Sequence, residues 1–174
     1  MGLSQSYLYS DIANSVGIDH TYLLNNSGGG SSFYDFDMDG NDDITLATGE
    51  GEPIHFYRNT GNEFEKIDLG ITNVAQAKSV IWVDYDNDGD LDLVVNNINE
   101  PAFIYENQNQ QISNDNYLTV KLKGSSKNPF GIGTKVTFYN YDHLQYQEFY
   151  PTRGWQSSVD YRLHFGLGKN DSID

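Results

Sequence analysis

Two nine-residue runs hold most of the sequence's chemical potential: Asp35-Phe-Asp-Met-Asp-Gly-Asn-Asp-Asp43 and Asp84-Tyr-Asp-Asn-Asp-Gly-Asp-Leu-Asp92. Each places carboxylates at loop positions 1, 3, 5 and 9: Asp35, Asp37, Asp39 and Asp43 in the first, Asp84, Asp86, Asp88 and Asp92 in the second. A loop that winds around an ion turns alternate side chains inward, and a glycine at position 6 permits the sharp bend. Position 7, Asn41 or Asp90, is expected to supply its backbone carbonyl. An all-oxygen donor set of this kind suits Ca²⁺, so two calcium sites are expected. Without a cation, each close carboxylate pair repels by about 4 kcal/mol at an effective dielectric of 20. A solvated acidic turn would explain one such loop, but not two in register.

The EF-hand is the obvious rival, but it needs a bidentate Glu at position 12 and flanking helices. Position 12 is Leu46 in one loop and Val95 in the other. Both flanks are β-branched and aromatic, as strands are.

Charge supports the same reading. The net charge is −15, and ten of the 25 acidic residues lie inside the two loops. Acidity so concentrated is unlike a disordered acidic tail, and no basic face is available for nucleic acid. Cysteine is absent, which excludes disulfides and thiolate metal sites. No apolar run reaches the ~20 residues of a membrane-spanning helix. The polar start, Met1 to Ser6, is no signal peptide, so export would require a targeting segment outside this chain.

The elements that position the loops come as a repeat. Asp35 to Asp84 is a step of 49 residues, whereas Pro53 to Pro101, Tyr57 to Tyr105 and Asn59 to Asn107 are steps of 48. One residue is therefore lost between the loop and the downstream strand. Strands are expected at 44–48, 54–58 and 61–67 in the first unit, and at 79–83, 93–95 and 102–106 in the second. Four antiparallel strands per unit make a propeller blade. Polar residues 108–116 read as a linker. Beyond it, alternation predicts strands at 118–122, 135–139, 144–150 and 160–165, with a hairpin turn at 140–143.

The loops, with Tyr57-Arg-Asn-Thr-Gly61 and the lead-in Asp11–Ile18 followed by Gly28-Gly-Gly30, resemble FG-GAP/VCBS repeats, the blades of integrin-α-type propellers. Asn116–Gly124, Gly131–Val136 and Arg162-Leu-His-Phe-Gly-Leu-Gly168 resemble the ASPIC/UnbV domain, which follows such repeats in cartilage acidic protein-like chains. The resemblance implies an all-β fold: two propeller blades over 1–107, a linker at 108–116, and a small antiparallel β-sandwich-like domain over 117–174. It implies Ca²⁺ ligation by the loop carboxylates and no catalytic residue. Two units cannot close a propeller of about seven blades, which would need roughly 340 residues. The chain is thus expected to be a fragment, C-terminally truncated, or one that completes its sheets with another copy through open edges.

Gly28-Gly-Gly30 lacks the Lys-Ser/Thr and the helix of a phosphate loop. His164 is expected to be a packed strand residue. Arg153 and Trp155 are the one pair outside the loops suited to ligand contact, since Trp beside Arg can stack on a sugar. No Ser/His/Asp arrangement or isolated carboxylate pair stands out. The expectation is a non-enzymatic, secreted or cell-surface calcium module binding a protein or glycan. The alternatives are a Ca²⁺-dependent polysaccharide-active enzyme or its accessory, and a purely structural segment.

Overall fold

The computed structural model describes residues 9–22, 28–140 and 143–173. The first repeat folds as a four-stranded antiparallel meander: β1 (Ser31–Tyr34), β2 (Asp43–Leu46), β3 (His55–Asn59) and β4 (Phe64–Ile67). The second has β5 (Ala77–Val83), β6 (Asp92–Asn97) and β7 (Phe103–Tyr105) in the same order, with three strands. Where β4 would have its counterpart, the polar stretch expected as a linker instead forms a short helix, α1 (Asn109–Ser113).

The registers superpose. Tyr34 pairs with Asp43 and Ile44 with Tyr57, just as Val83 pairs with Asp92 and Leu93 with Tyr105. The residue lost between repeats therefore falls in the turn after the second strand, where the ladder does not register it. β1 and β5 lie side by side. A bulge at Lys78 turns its carbonyl toward the first blade, where Gly30 N–H donates to it at 3.0 Å. Apolar residues of both blades share one core, in which Trp82 stacks on Phe36 and donates Nε1–H to the Thr45 hydroxyl at 2.9 Å.

The C-terminal region contains β8 (Asn116–Lys121), β9 (Lys135–Asn140), β10 (His143–Glu148), β11 (Thr152–Arg153), β12 (Ser157–Ser158) and β13 (Arg162–Gly168). β8 pairs with β13 and β9 with β10, both antiparallel. The two ladders enclose a second core of Phe138, Phe149, Leu163, Phe165 and Leu167, completed by Leu118, Val120 and Val136, which is the expected sandwich-like arrangement. The all-β reading, with propeller-like blades before a small antiparallel unit, holds. Among the described residues no helix is long and apolar enough to cross a membrane.

Candidate metal centres

Each aspartate loop is the connection between the first and second strands of its blade, so the strand pair closes its base. Position 9 fastens that base. Asp43, fully buried, accepts Phe36 N–H at 3.0 Å on one oxygen and Asn59 N–H at 2.8 Å on the other. Asp92 repeats this with Tyr85 N–H at 3.1 Å and Asn107 N–H at 2.8 Å. The carboxylate thus ties the loop start to the end of the third strand while retaining further lone pairs. Asn59 and Asn107 match across the repeats because each also donates its side-chain Nδ2–H to a loop carbonyl, Asp42 at 3.0 Å and Leu91 at 3.3 Å.

Two left-handed residues bend each loop: Met38 (φ 58°) and Gly40 (φ 98°), Asn87 (φ 66°) and Gly89 (φ 100°). Asn tolerates this region, and Gly favours it. Met38 has no such preference and is held there by the loop's closure. The bends bring Asp35, Asp37 and Asp39 together, one oxygen from each lying within 4.8 Å of the others, and do the same for Asp84, Asp86 and Asp88. Asp43 and Asp92 lie at the loop bases, outside these triads. Asn41 and Asp90 donate their N–H groups to Asp39 at 2.8 Å and Asp88 at 3.1 Å.

Burial is the main strain on this arrangement. Asp35 accepts Asp39 N–H at 3.0 Å and Gly40 N–H at 2.8 Å, yet loss of water pushes its carboxyl up to about 8, and the neighbouring charges of Asp37, Asp39 and Asp43 add to the shift. Asp43 is raised to about 7, again mainly by burial. Asp37 and Asp92 are raised for the same reason. In the second loop, Asp84 Oδ1 is buried with no hydrogen-bond partner among the described residues. Crowded carboxylates built on a buried aspartate, Asp35 or Asp84, are the environment that a hard divalent cation relieves, and every available donor is oxygen. The residues fit such an ion.

Other site residues fall elsewhere. Trp155 is 46% exposed, with Lys78 Nζ 4.5 Å from its ring centroid. Its base packs against Gly30, where an added Cβ would come within 2.9 Å of Trp155 Cβ. Arg153 pairs with Ser157 in the ladder, but its side chain lies outside the described residues. Of the hairpin turn expected at 140–143, residues 141 and 142 also lie outside them. His164 is buried as expected, with Nδ1 3.6 Å from Asp84 Oδ2; desolvation lowers its pKa, so the contact is polar, not an ion pair. His20 and His55, 35 residues apart and in no ligand spacing, meet Nδ1 to Nδ1 at 3.0 Å. Arg162, also unanticipated, reaches the second loop from β13.

Residues 35–95 match the family described as FG-GAP-like repeat, and residues 124–174 match ASPIC and UnbV. No curated protein matches the chain. The first match spans both aspartate loops, and the second contains β9 to β13. The chain thus carries an FG-GAP-like repeat region followed by an ASPIC and UnbV domain.

Proposed function

We propose that this chain is a non-catalytic, calcium-dependent binding module of an extracellular or surface protein. The supporting observation is the pair of equivalent carboxylate triads, Asp35, Asp37 and Asp39 and Asp84, Asp86 and Asp88, each set at a blade hairpin on a buried first aspartate. On this reading Asp35, Asp37, Asp39, Asp43, Asp84, Asp86, Asp88 and Asp92, with the carbonyls of Asn41 and Asp90, hold two Ca²⁺ ions. The ions rigidify the hairpins, and the blades present their loops to a protein or glycan partner. FG-GAP repeats suggest an adhesion-type extracellular module, and both families are mainly non-catalytic, which supports this choice. The division into repeats over 1–107, a connecting segment at 108–116 and a terminal domain over 117–174 belongs to the same proposal.

A cation that binds only the folded loops stabilises the fold by mass action, by about 2.7 kcal/mol at one hundred times its dissociation constant. Thermal melts of calcium-loaded protein should therefore fall on adding excess EDTA and recover with calcium but not sodium. Identical melts in both conditions would refute the metal reading. For ligand contact, Trp155 remains the outward-facing candidate, and a glycan array with Trp155→Ala as control tests it.

A further inference from the structure

β13 separates two tasks by its pleat. Leu163, Phe165 and Leu167 are buried in the C-terminal core, while the alternate residues Arg162, His164 and Gly166 meet the aspartate loops. Gly166 lies against the first loop, where an added Cβ would come within 2.7 Å of Met38 Cβ and 2.8 Å of the Met38 carbonyl. Arg162 and His164 address the second. Arg162 Nη1–H donates to Asn87 Oδ1, Nη2–H reaches the Asp84 carbonyl at 3.4 Å, and Asp160 holds Nε–H. These contacts join loop position 1 to position 4 across the turn that gathers Asp84, Asp86 and Asp88. His164 Nδ1 faces Asp84 Oδ2, with the Thr119 hydroxyl at 3.5 Å, while Asp84 Oδ1 is the oxygen left without a partner. Tyr117 of β8 closes over Gly89, where an added Cβ would lie 2.0 Å from the ring.

We propose that Arg162 and His164 form a clasp that positions the second aspartate loop, so that a divalent cation there and the seating of the C-terminal sheet stabilise each other. The inference rests on the metal reading above and extends it to regulation of one site. The first loop is an internal control: its position 4 is Met38, whose side chain offers no oxygen to a guanidinium. Coupling of this kind is reciprocal, so whatever docking contributes to calcium affinity, calcium contributes to docking.

Electrostatics alone predicts the opposite effect for Arg162, because removing a cation beside the loop should tighten calcium binding. A weaker site is thus the signature of positioning. The test is calorimetric calcium titration of the full chain, with one loop disabled at a time by Asp37→Asn/Asp39→Asn or Asp86→Asn/Asp88→Asn. With only the second loop intact, Arg162→Ala should weaken binding about tenfold. Arg162→Lys should also weaken it, because it keeps the charge but loses the fork. With only the first loop intact, neither should change affinity by more than about twofold. In the unsubstituted chain, calcium should slow amide exchange across 162–168, and Asp86→Asn/Asp88→Asn should abolish that protection. Failure of either loop in the parent to bind calcium would overturn the metal reading and this inference with it. Normal binding with unchanged or tighter affinity in Arg162→Ala, or calcium protection confined to the loops, would overturn the clasp alone.

Discussion

At the scale of single residues, the two loop glycines look equivalent in sequence but stand under different constraints. Gly40 and Gly89 share a left-handed backbone, which a Cβ disfavours by about 1–2 kcal/mol. At Gly40 the nearest foreign atom to an added Cβ is Gln145 Cγ, at an ordinary 3.5 Å, whereas at Gly89 the Tyr117 ring blocks the space. Gly40→Ala should therefore cost about 1–2 kcal/mol and Gly89→Ala about 2–5 kcal/mol, since overpacking adds to strain. Urea unfolding in EDTA, which removes metal effects, measures both; equal losses would deny the Tyr117 contact. The carboxyls carry a second prediction. Asp35 and Asp43, raised to about 8 and about 7, keep protons in the folded metal-free chain that the unfolded chain releases near pH 4. Protons bound in excess by the folded state mean that stability is greatest in acid and is lost as pH rises through these values. Melts in EDTA should fall from about pH 5 to about pH 8.5, and saturating calcium, which needs the ionised loops, should remove that fall. A flat profile in EDTA would show that the loops open to water when empty.

Between elements, the blades are joined through the aromatic cluster at their shared core. Trp82 on β5 stacks on Phe36 at 5.0 Å between centroids, meets Phe56 edge-on at 6.1 Å, and bonds the Thr45 hydroxyl on β2. Trp82→Phe removes that bond and leaves a void, so it should lower unfolding free energy by about 2–4 kcal/mol, measured by urea denaturation. A loss below about 0.5 kcal/mol, the level of a surface substitution, would mean the blades do not depend on this cluster. Much of this level was legible beforehand. β-branched and aromatic runs bounded by Gly, Asn and Asp marked most of the blade strands, alternation marked the longer C-terminal ones, and the shift from a 49- to a 48-residue step located the shortened turn. What stayed hidden depends on distance in sequence. α1 lies in a stretch with no apolar periodicity, and β11 and β12 are two residues each. The carboxylate triads follow from local spacing and could be read; the contacts of Arg162 and His164 with Asp84 and Asn87 span some 75 to 80 residues and could not. The one available signal was the alternation in Arg162-Leu-His-Phe-Gly-Leu, whose residues 162, 164 and 166 are polar or small yet half-buried or buried.

For the whole molecule, the question is whether two cores make two folding units. The blades and the C-terminal sheets each enclose their own cluster, yet backbone and side chains meet closely between them. An added Cβ at Gly154 would lie 2.9 Å from the Val80 carbonyl, and one at Gly30 would lie 2.9 Å from both the Lys78 carbonyl and Trp155 Cβ. Ser79 and Ser157 share a hydrogen bond of 3.1 Å between their hydroxyls. A small C-terminal core of this size has little stability alone, because a short chain buries a limited fraction of its surface. Its stability is expected to come partly from the blade surface it covers. Calcium-loaded protein should therefore melt in one calorimetric transition, with the van't Hoff and calorimetric enthalpies equal. Gly30→Ala isolates the packing, since Gly30 is not left-handed and the substitution introduces no backbone strain there. The added methyl must push apart Lys78 and Trp155, so the transition should move down by about 4–8 °C or split in two, the lower step belonging to the C-terminal sheets. A Gly30→Ala melt that overlays the parent would mean the two cores touch without depending on each other.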